Sequence, residues 1–195
     1  MIKKRIKILR DKFKEHNIDG YLIPKNDEFF SEYSVIDRLK TISGFTGSAG
    51  MAVILKNKNY LFVDGRYTIQ AEKECAKNFK VIETNKSFSS SIFKDLTLGF
   101  DPKLFTTKKI KTFFSGKVKL NLIKENLIDQ IYKYKLIKTK SFFSLSKNIT
   151  GENYKSKINK VITFLKKNKI DYLFISAPEN VAWLLNIRGY DNPNS

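Results

Sequence analysis

Apolar residues at Ile2, Ile6, Leu9 and Phe13 recur three and four positions apart among lysines and arginines, the spacing of one helix face. This predicts an amphipathic helix from Ile2 to Asn17. Gly20-Tyr-Leu-Ile-Pro24 is an unbroken apolar run closed by proline, as in a short buried strand. Met51 to Leu55 and Tyr60 to Val63 are two further apolar runs, and Lys56-Asn-Lys-Asn59 between them predicts a hairpin of unspecified turn type. Downstream the pattern predicts a helix over 66–77 and strands over 79–83 and 96–100. A helix over 106–114, a strand over 117–123 and a helix over 125–132 follow. Such alternation belongs to an α/β layered domain, and the hairpin makes its β-sheet mixed, with helices flanking it.

The pattern breaks at Leu136–Asn153, a lysine- and serine-rich stretch that reads as a linker. Beyond it the chain begins again. Ile158, Val161, Leu165 and Ile170-Asp171 fall 152 positions after Ile6, Leu9, Phe13 and Ile18-Asp19, and Tyr172-Leu-Phe-Ile175 falls on Gly20-Tyr-Leu-Ile23. Leu184 to Tyr190 resembles Leu39 to Phe45 at an offset of 145. The expected organisation is a domain over 1–135, a linker over 136–153, and an incomplete second copy over 154–195. A helix, one strand and another helix cannot by themselves cover a sheet or satisfy its edges.

The net charge of +18 invites a nucleic-acid or membrane reading. However, only five of the 37 basic residues are arginine, and the lysines are scattered along the chain. Phosphate and base readers favour the arginine fork and concentrate it on one face. Abundant Lys, Ile, Asn, Phe and Tyr share AT-rich codons, so compositional drift with a solvated lysine surface explains the charge. No specific nucleic acid is expected. No apolar run approaches the roughly 18 residues that cross a bilayer, and none follows the basic start as in a secretory signal. The single cysteine, Cys75, cannot form an internal disulfide, and a cytoplasmic location is expected.

Candidate chemistry is sparse. The one histidine, His16, stands at a helix end beside Lys14, Glu15 and Asn17, where a solvated role fits better than metal ligation. No zinc-type histidine or cysteine spacing is present, and no metal or catalytic residue is expected in this chain. Gly44, Gly47 and Gly50 superficially resemble a phosphate loop. Such loops open a helix, whereas here an apolar strand follows, so the glycines are expected to allow a tight path into the sheet. Ser48 has no imidazole nearby in sequence to activate it. Asp64-Gly65-Arg66-Tyr67 is the sharpest motif: Asp64 is placed to cap the next helix, and an Asp–Arg pair would lock the corner. A direct role at a substrate or subunit surface is the alternative.

Several segments occur together in order: Ile42-Ser-Gly-Phe-Thr-Gly-Ser-Ala-Gly50, Val63-Asp-Gly-Arg-Tyr67 with Gln70-Ala-Glu72, Gly99-Phe-Asp-Pro102, Glu125-Asn-Leu-Ile-Asp129, and Val181-Ala-Trp-Leu-Leu-Asn-Ile-Arg-Gly189. The set resembles the N-terminal part of Xaa-Pro aminopeptidases (aminopeptidase P). The resemblance implies a creatinase-like α/β first domain and the start of a second, ahead of a catalytic domain not included here. In full-length relatives that domain would use two divalent metals, usually manganese, to release a residue preceding proline. The resemblance further implies a homodimer through the N-terminal domain, a role in shaping access to the active site, and a chain inactive alone, with peptide substrate bound only alongside the catalytic domain. Arg188 would lie near the active-site entrance, and Arg66 is a second substrate-proximal candidate. Trp183, Leu184 and Leu185 are expected in the core, and Cys75 half-buried. Alternatives are a stand-alone peptide or protein interaction module derived from that family, and a basic nucleic-acid-binding domain.

Overall fold

Helix α1 (Ile2–Asp11) turns its buried Ile6 and Leu9 toward a sheet, as the three-and-four spacing requires. It is shorter than predicted. Lys12 and Phe13 donate to the carbonyls of Leu9 and Arg10, tightening the last turn, and the turns that follow close at Asn17, which takes a positive φ. The computed structural model describes residues 1–31, 36–84, 90–114, 118–135 and 140–190. They fall into two compact units, Met1–Tyr134 and Lys135–Ser195.

The first unit is built on six strands: β1 (Gly20–Pro24), β2 (Met51–Leu55), β3 (Asn59–Val63), β4 (Lys80–Glu83), β5 (Thr97–Phe100) and β6 (Lys119–Leu122). Their order is β4-β3-β2-β1-β5-β6. The predicted hairpin joins β2 to β3, and β2 also pairs antiparallel with β1; the remaining pairs are parallel. The sheet is therefore mixed and flanked by helices, as the sequence pattern implies. Both faces are covered. Tyr21 and Ile23 pack with Ile6, Leu9 and Phe13 on one side, while Leu22 meets Val53, Phe62 and Phe93 on the other. Apolar residues at consecutive positions of β1 are thus both inside, which is why the run shows no alternation.

Helix α2 (Arg38–Ser43) lies in a stretch that sequence periodicity leaves as polar connecting chain. Asp37 caps it by accepting from the Lys40 amide, and Gly44 ends it at φ +85°. Helices α3 (Thr68–Cys75), α4 (Thr107–Phe114) and α5 (Leu127–Ile131) complete the unit. Cys75 is fully buried, deeper than expected, and its thiol approaches the Ser43 carbonyl at 3.5 Å.

In the second unit, residues 136–139 of the stretch read as a linker, together with 191–195, lie outside the described residues. Part of the remainder is ordered secondary structure: strand β7 (Phe142–Ser144) and the short helix α6 (Lys147–Thr150). Then come α7 (Tyr154–Lys167), α8 (Pro178–Leu185) and β8 (Ile187–Gly189), which pairs antiparallel with β7. Three expectations fail here. Tyr172–Ile175 is not a strand: residues 170–177 form neither helix nor strand, and Tyr172 and Phe174 are 91% and 90% exposed. No strand among the described residues lies alongside it to complete a ladder. Trp183 and Leu185, expected in the core with Leu184, are 58% and 37% exposed for want of a sheet to pack against, and Leu184 is only partly buried. The match of Leu184–Tyr190 to Leu39–Phe45 also does not carry into structure. Gly44 ends a helix, but Gly189 lies in β8, because Asn186 already takes the left-handed cap three residues earlier.

Candidate functional site

The glycine-rich loop and the Asp64–Tyr67 corner come together at one end of the sheet. Where β3 ends, Asp64 Oδ1 accepts from the Arg66 amide at 2.9 Å, and the Arg66 guanidinium grips both carboxylate oxygens at 3.1 and 2.8 Å. These bonds hold the Asp64 carboxyl below its ordinary pKa. Tyr67 meets the Phe45 ring edge-on at 5.9 Å, and its hydroxyl lies 2.7 Å from Ser48 Oγ. Gly47 is required between these rings: a Cβ there would lie 2.3 Å from Phe45 and 2.8 Å from Tyr67. Gly50 passes close to the Phe62 carbonyl, and Gly65 faces the Glu83 carboxyl. From α3, Glu74 accepts from the Thr46 amide and hydroxyl at 2.8 and 2.6 Å, with Gln70 donating to both residues. Burial pushes the Glu74 carboxyl up, but those donors together outweigh it and leave its pKa lowered. The corner is a cross-braced turn, and Ser48 is engaged with a tyrosine.

A second constellation escaped sequence reasoning. Arg38 on α2 is 4% exposed, yet it carries a guanidinium. It forms a fork with Asp129 of α5, at 2.9 and 2.8 Å, and a third bond to Glu28 at 2.8 Å. Burial works against the charge, but the two carboxylates outweigh it and raise the guanidinium pKa. Its Nη1 has no hydrogen-bond partner among the described residues. Nearby, Tyr21 hydroxyl accepts from the Leu127 amide, and Tyr134 hydroxyl lies 2.9 Å from Thr41 Oγ1. Burial pushes Tyr134 up to about 12. The fork ties the loop after β1 to two helices. Asp129 belongs to the Glu125–Asp129 motif, which was the available signal.

In the second unit Lys157 is also 4% exposed. Its ammonium donates to the Trp183 carbonyl at 2.9 Å and to Asn186 Oδ1 at 2.8 Å, and lies 4.1 Å from the Trp183 ring centroid. Asn186 in turn donates to Thr150 Oγ1 and the Glu152 carbonyl. Lys157 thus acts as a structural clasp. Arg188, on β8, is half-buried and donates to the Ile187 carbonyl at 2.7 Å. It therefore belongs to the second unit, whereas the other singled-out residues share the first.

Among the described residues no group of three or more histidine, cysteine, aspartate and glutamate side chains could hold a metal. Glu28 and Asp129, the carboxylates gathered by one side chain, are both engaged by Arg38. The described residues do not fit a binuclear centre.

A mixed sheet covered on both faces, entered by a glycine-rich loop and closed by a braced Asp-Gly-Arg-Tyr corner, defines an α/β domain without a metal-holding cluster among its described residues. The chain belongs to the Creatinase/Prolidase N-terminal domain family: one model of that description matches residues 5–123, and a second matches residues 133–195. It is 34% identical to the probable Xaa-Pro aminopeptidase P of Laccaria bicolor, over 96% of this chain and 32% of that protein. It is 31% identical to Xaa-Pro aminopeptidase 1 of Dictyostelium discoideum, over 97% of this chain and 34% of that protein. The chain therefore spans about a third of the length of these relatives. Among solved structures, the X-prolyl aminopeptidase of Caenorhabditis elegans, a cytosolic enzyme with a di-nuclear active site, matches 99% of this chain and 36% of its own, with TM-score 0.80 and 25% identity. The N-terminal domain of cytoplasmic PepQ from Mycobacterium tuberculosis shares the fold, with TM-score 0.51 at 19% identity.

Proposed function

We propose that this chain is the non-catalytic N-terminal portion of a metal-dependent Xaa-Pro aminopeptidase, supporting dimerisation and controlling access to an active site carried by further sequence. The carrying observation is the tandem family match, at 5–123 and 133–195, on a chain aligned over nearly its full length with about a third of each relative. In such an enzyme the first domain spans 1–135 and the second begins after 136–153. Arg66, with a 73% exposed side chain, and Arg188 are the residues offered to peptide near the entrance. The metals, manganese in this proposal, belong to the catalytic part. A cytoplasmic location accords with a buried, unpaired Cys75, and no helix among the described residues is long and apolar enough to cross a membrane.

Two measurements test this. The 195-residue chain, supplied with Mn²⁺, is expected not to cleave an Xaa-Pro peptide; chelator-sensitive cleavage would overturn the non-catalytic assignment. Reading the gene beyond the Ser195 codon is expected to reveal Asp, Asp, His, Glu and Glu metal ligands in frame. A stop codon there would favour a stand-alone interaction module, whose contact surface would be the exposed Tyr172–Phe174 segment.

A further inference from the structure

We propose that a cavity of about 180 Å³ at the carboxyl end of β3 is a subsite for a small carboxylate, held by the Lys109 ammonium. The cavity is distinct from the Arg38 network and adjoins the Asp64 corner. Met51, Phe62 and Val63 give it apolar walls, Asp64 and Thr84 also line it, and Lys109 reaches it from α4.

Charge accounting leaves one group over. Both Asp64 oxygens are held by Arg66, and Thr84 Oγ1 is spent on the Val63 carbonyl at 3.2 Å. Lys109 is half-buried, and among the described residues its ammonium makes neither ion pair nor side-chain hydrogen bond; it faces the Phe105 ring, 6.0 Å away. Burial alone lowers its pKa, with no carboxylate opposing the effect. A cation partly removed from water without an anion is unfavourable, and an incoming carboxylate would supply a charge-assisted bond there.

Size and lining narrow the ligand. The cavity falls below the roughly 300–1,000 Å³ of drug-sized sites, so it takes a short acid or one acidic side chain. One cation matches a monoanion, and apolar walls favour a carboxylate with a short aliphatic body over strongly hydrated phosphate or sulfate.

The test is an amide NMR titration of the full 195-residue chain with sodium butyrate, at about 150 mM salt to screen the lysine surface. Saturable shifts are expected at residues 49–51, 62–64, 84 and 109, and none with butyramide. Lys109→Met is expected to weaken binding at least about ten-fold, the usual worth of a charged hydrogen bond. Lys109→Arg and Lys108→Met should retain it. Lys109 makes no side-chain hydrogen bond among the described residues, so the Met variant is expected to fold. A blocked Glu tripeptide separates the sources: tighter binding than butyrate indicates a peptide carboxylate, and weaker binding a free acid. Shifts scattered over the lysine surface and unchanged in Lys109→Met would mean an adventitious ion only, and would overturn the assignment. That failure would leave the aminopeptidase proposal intact, since the latter is read by metal-dependent cleavage and gene sequence.

Discussion

Gly20–Pro24 and Tyr172–Ile175 start from the same local instructions and end differently. Each follows an amphipathic helix with matched apolar positions. The helices even exit alike: Ile18 donates to the Phe13 carbonyl after left-handed Asn17, and Ile170 donates to the Leu165 carbonyl after left-handed Lys169. Beyond that point the first copy becomes β1, held between β2 and β5, with Tyr21, Leu22 and Ile23 buried. The second copy becomes an exposed run without a ladder, in which even Leu173 is 54% exposed. A helix closes its hydrogen bonds within one segment and so forms in both copies. A strand must borrow its partners, and both neighbours of β1 come from residues further along the chain.

Hydrogen exchange should widen this contrast most. Amides of Tyr21 to Ile23 open only with the sheet, whereas those of Leu173 to Ile175 have no ladder to protect them. For a domain of ordinary stability the rates should differ by about 10⁴-fold or more. Comparable protection in the two segments would mean that Tyr172–Ile175 finds a sheet partner in solution.

Substitution separates them next. Leu22→Ala removes a side chain packed among Val53, Phe62 and Phe93, and should cost about 2–5 kcal/mol in urea unfolding. Phe174→Ala should stay within about 0.5 kcal/mol, since its ring is already in water. The chain carries its own reporters: Cys75 in the first unit, whose thiol burial pushes up to about 11, and the single tryptophan, Trp183, in the second. A large destabilisation by Phe174→Ala would show that the segment is covered.

The two buried cations are a finer test. Arg38→Met leaves Asp129 and Glu28 facing each other, but both are more than a third exposed and regain water. The cost should be about 1–3 kcal/mol, read by Cys75 labelling. Lys157→Met frees the Trp183 carbonyl and Asn186 Oδ1 and should cost about 1 kcal/mol, read by Trp183 fluorescence. If Arg38→Met proved neutral, its carboxylate fork would be ornamental to stability.

What sequence reasoning could reach follows the same division. Strands β1, β2 and β3 were legible because each is a short, mostly apolar run, and the hairpin because its halves are adjacent; the more polar β4 and β6 were legible from their place in the helix–strand alternation. Helix α2 was missed: six residues are too few to display a helical period, although Asp37 and Gly44 stood as cap signals. Tyr172–Ile175 was misread because apolar pattern records burial tendency and carries no information about which strands are present to pair. In the candidate site, Asp64 and Arg66 were visible because they are two residues apart. Arg38 finds Asp129 across 91 positions, and Lys109 reaches its cavity from a helix far from β3 in sequence, so neither had a local signature.

The smallest effect compares partly exposed carboxylates of the two units under acid. Asp64, gripped by Arg66, and Glu152, paired with Lys160 and bonded by Ser156, both have lowered pKa values. A carboxyl depressed on folding contributes stability that is present above its unfolded value, near 4, and is lost as pH falls through its folded value. Asp64→Asn should therefore lower first-unit stability at neutral pH, by less than about 0.5 kcal/mol because Arg66 is well exposed. The difference from the parent should shrink toward zero on acidification below about pH 4. Asp19, lowered by Lys56 and the Thr97 amide, titrates in the same direction in both proteins and cancels in the difference. Glu152→Gln should produce the same pH signature in Trp183 fluorescence and leave Cys75 labelling unmoved. If instead each substitution shifted both reporters equally, the units would unfold as one, and the contrast between β1 and Tyr172–Ile175 would be local to the two segments, with no separate stability for each half of the chain.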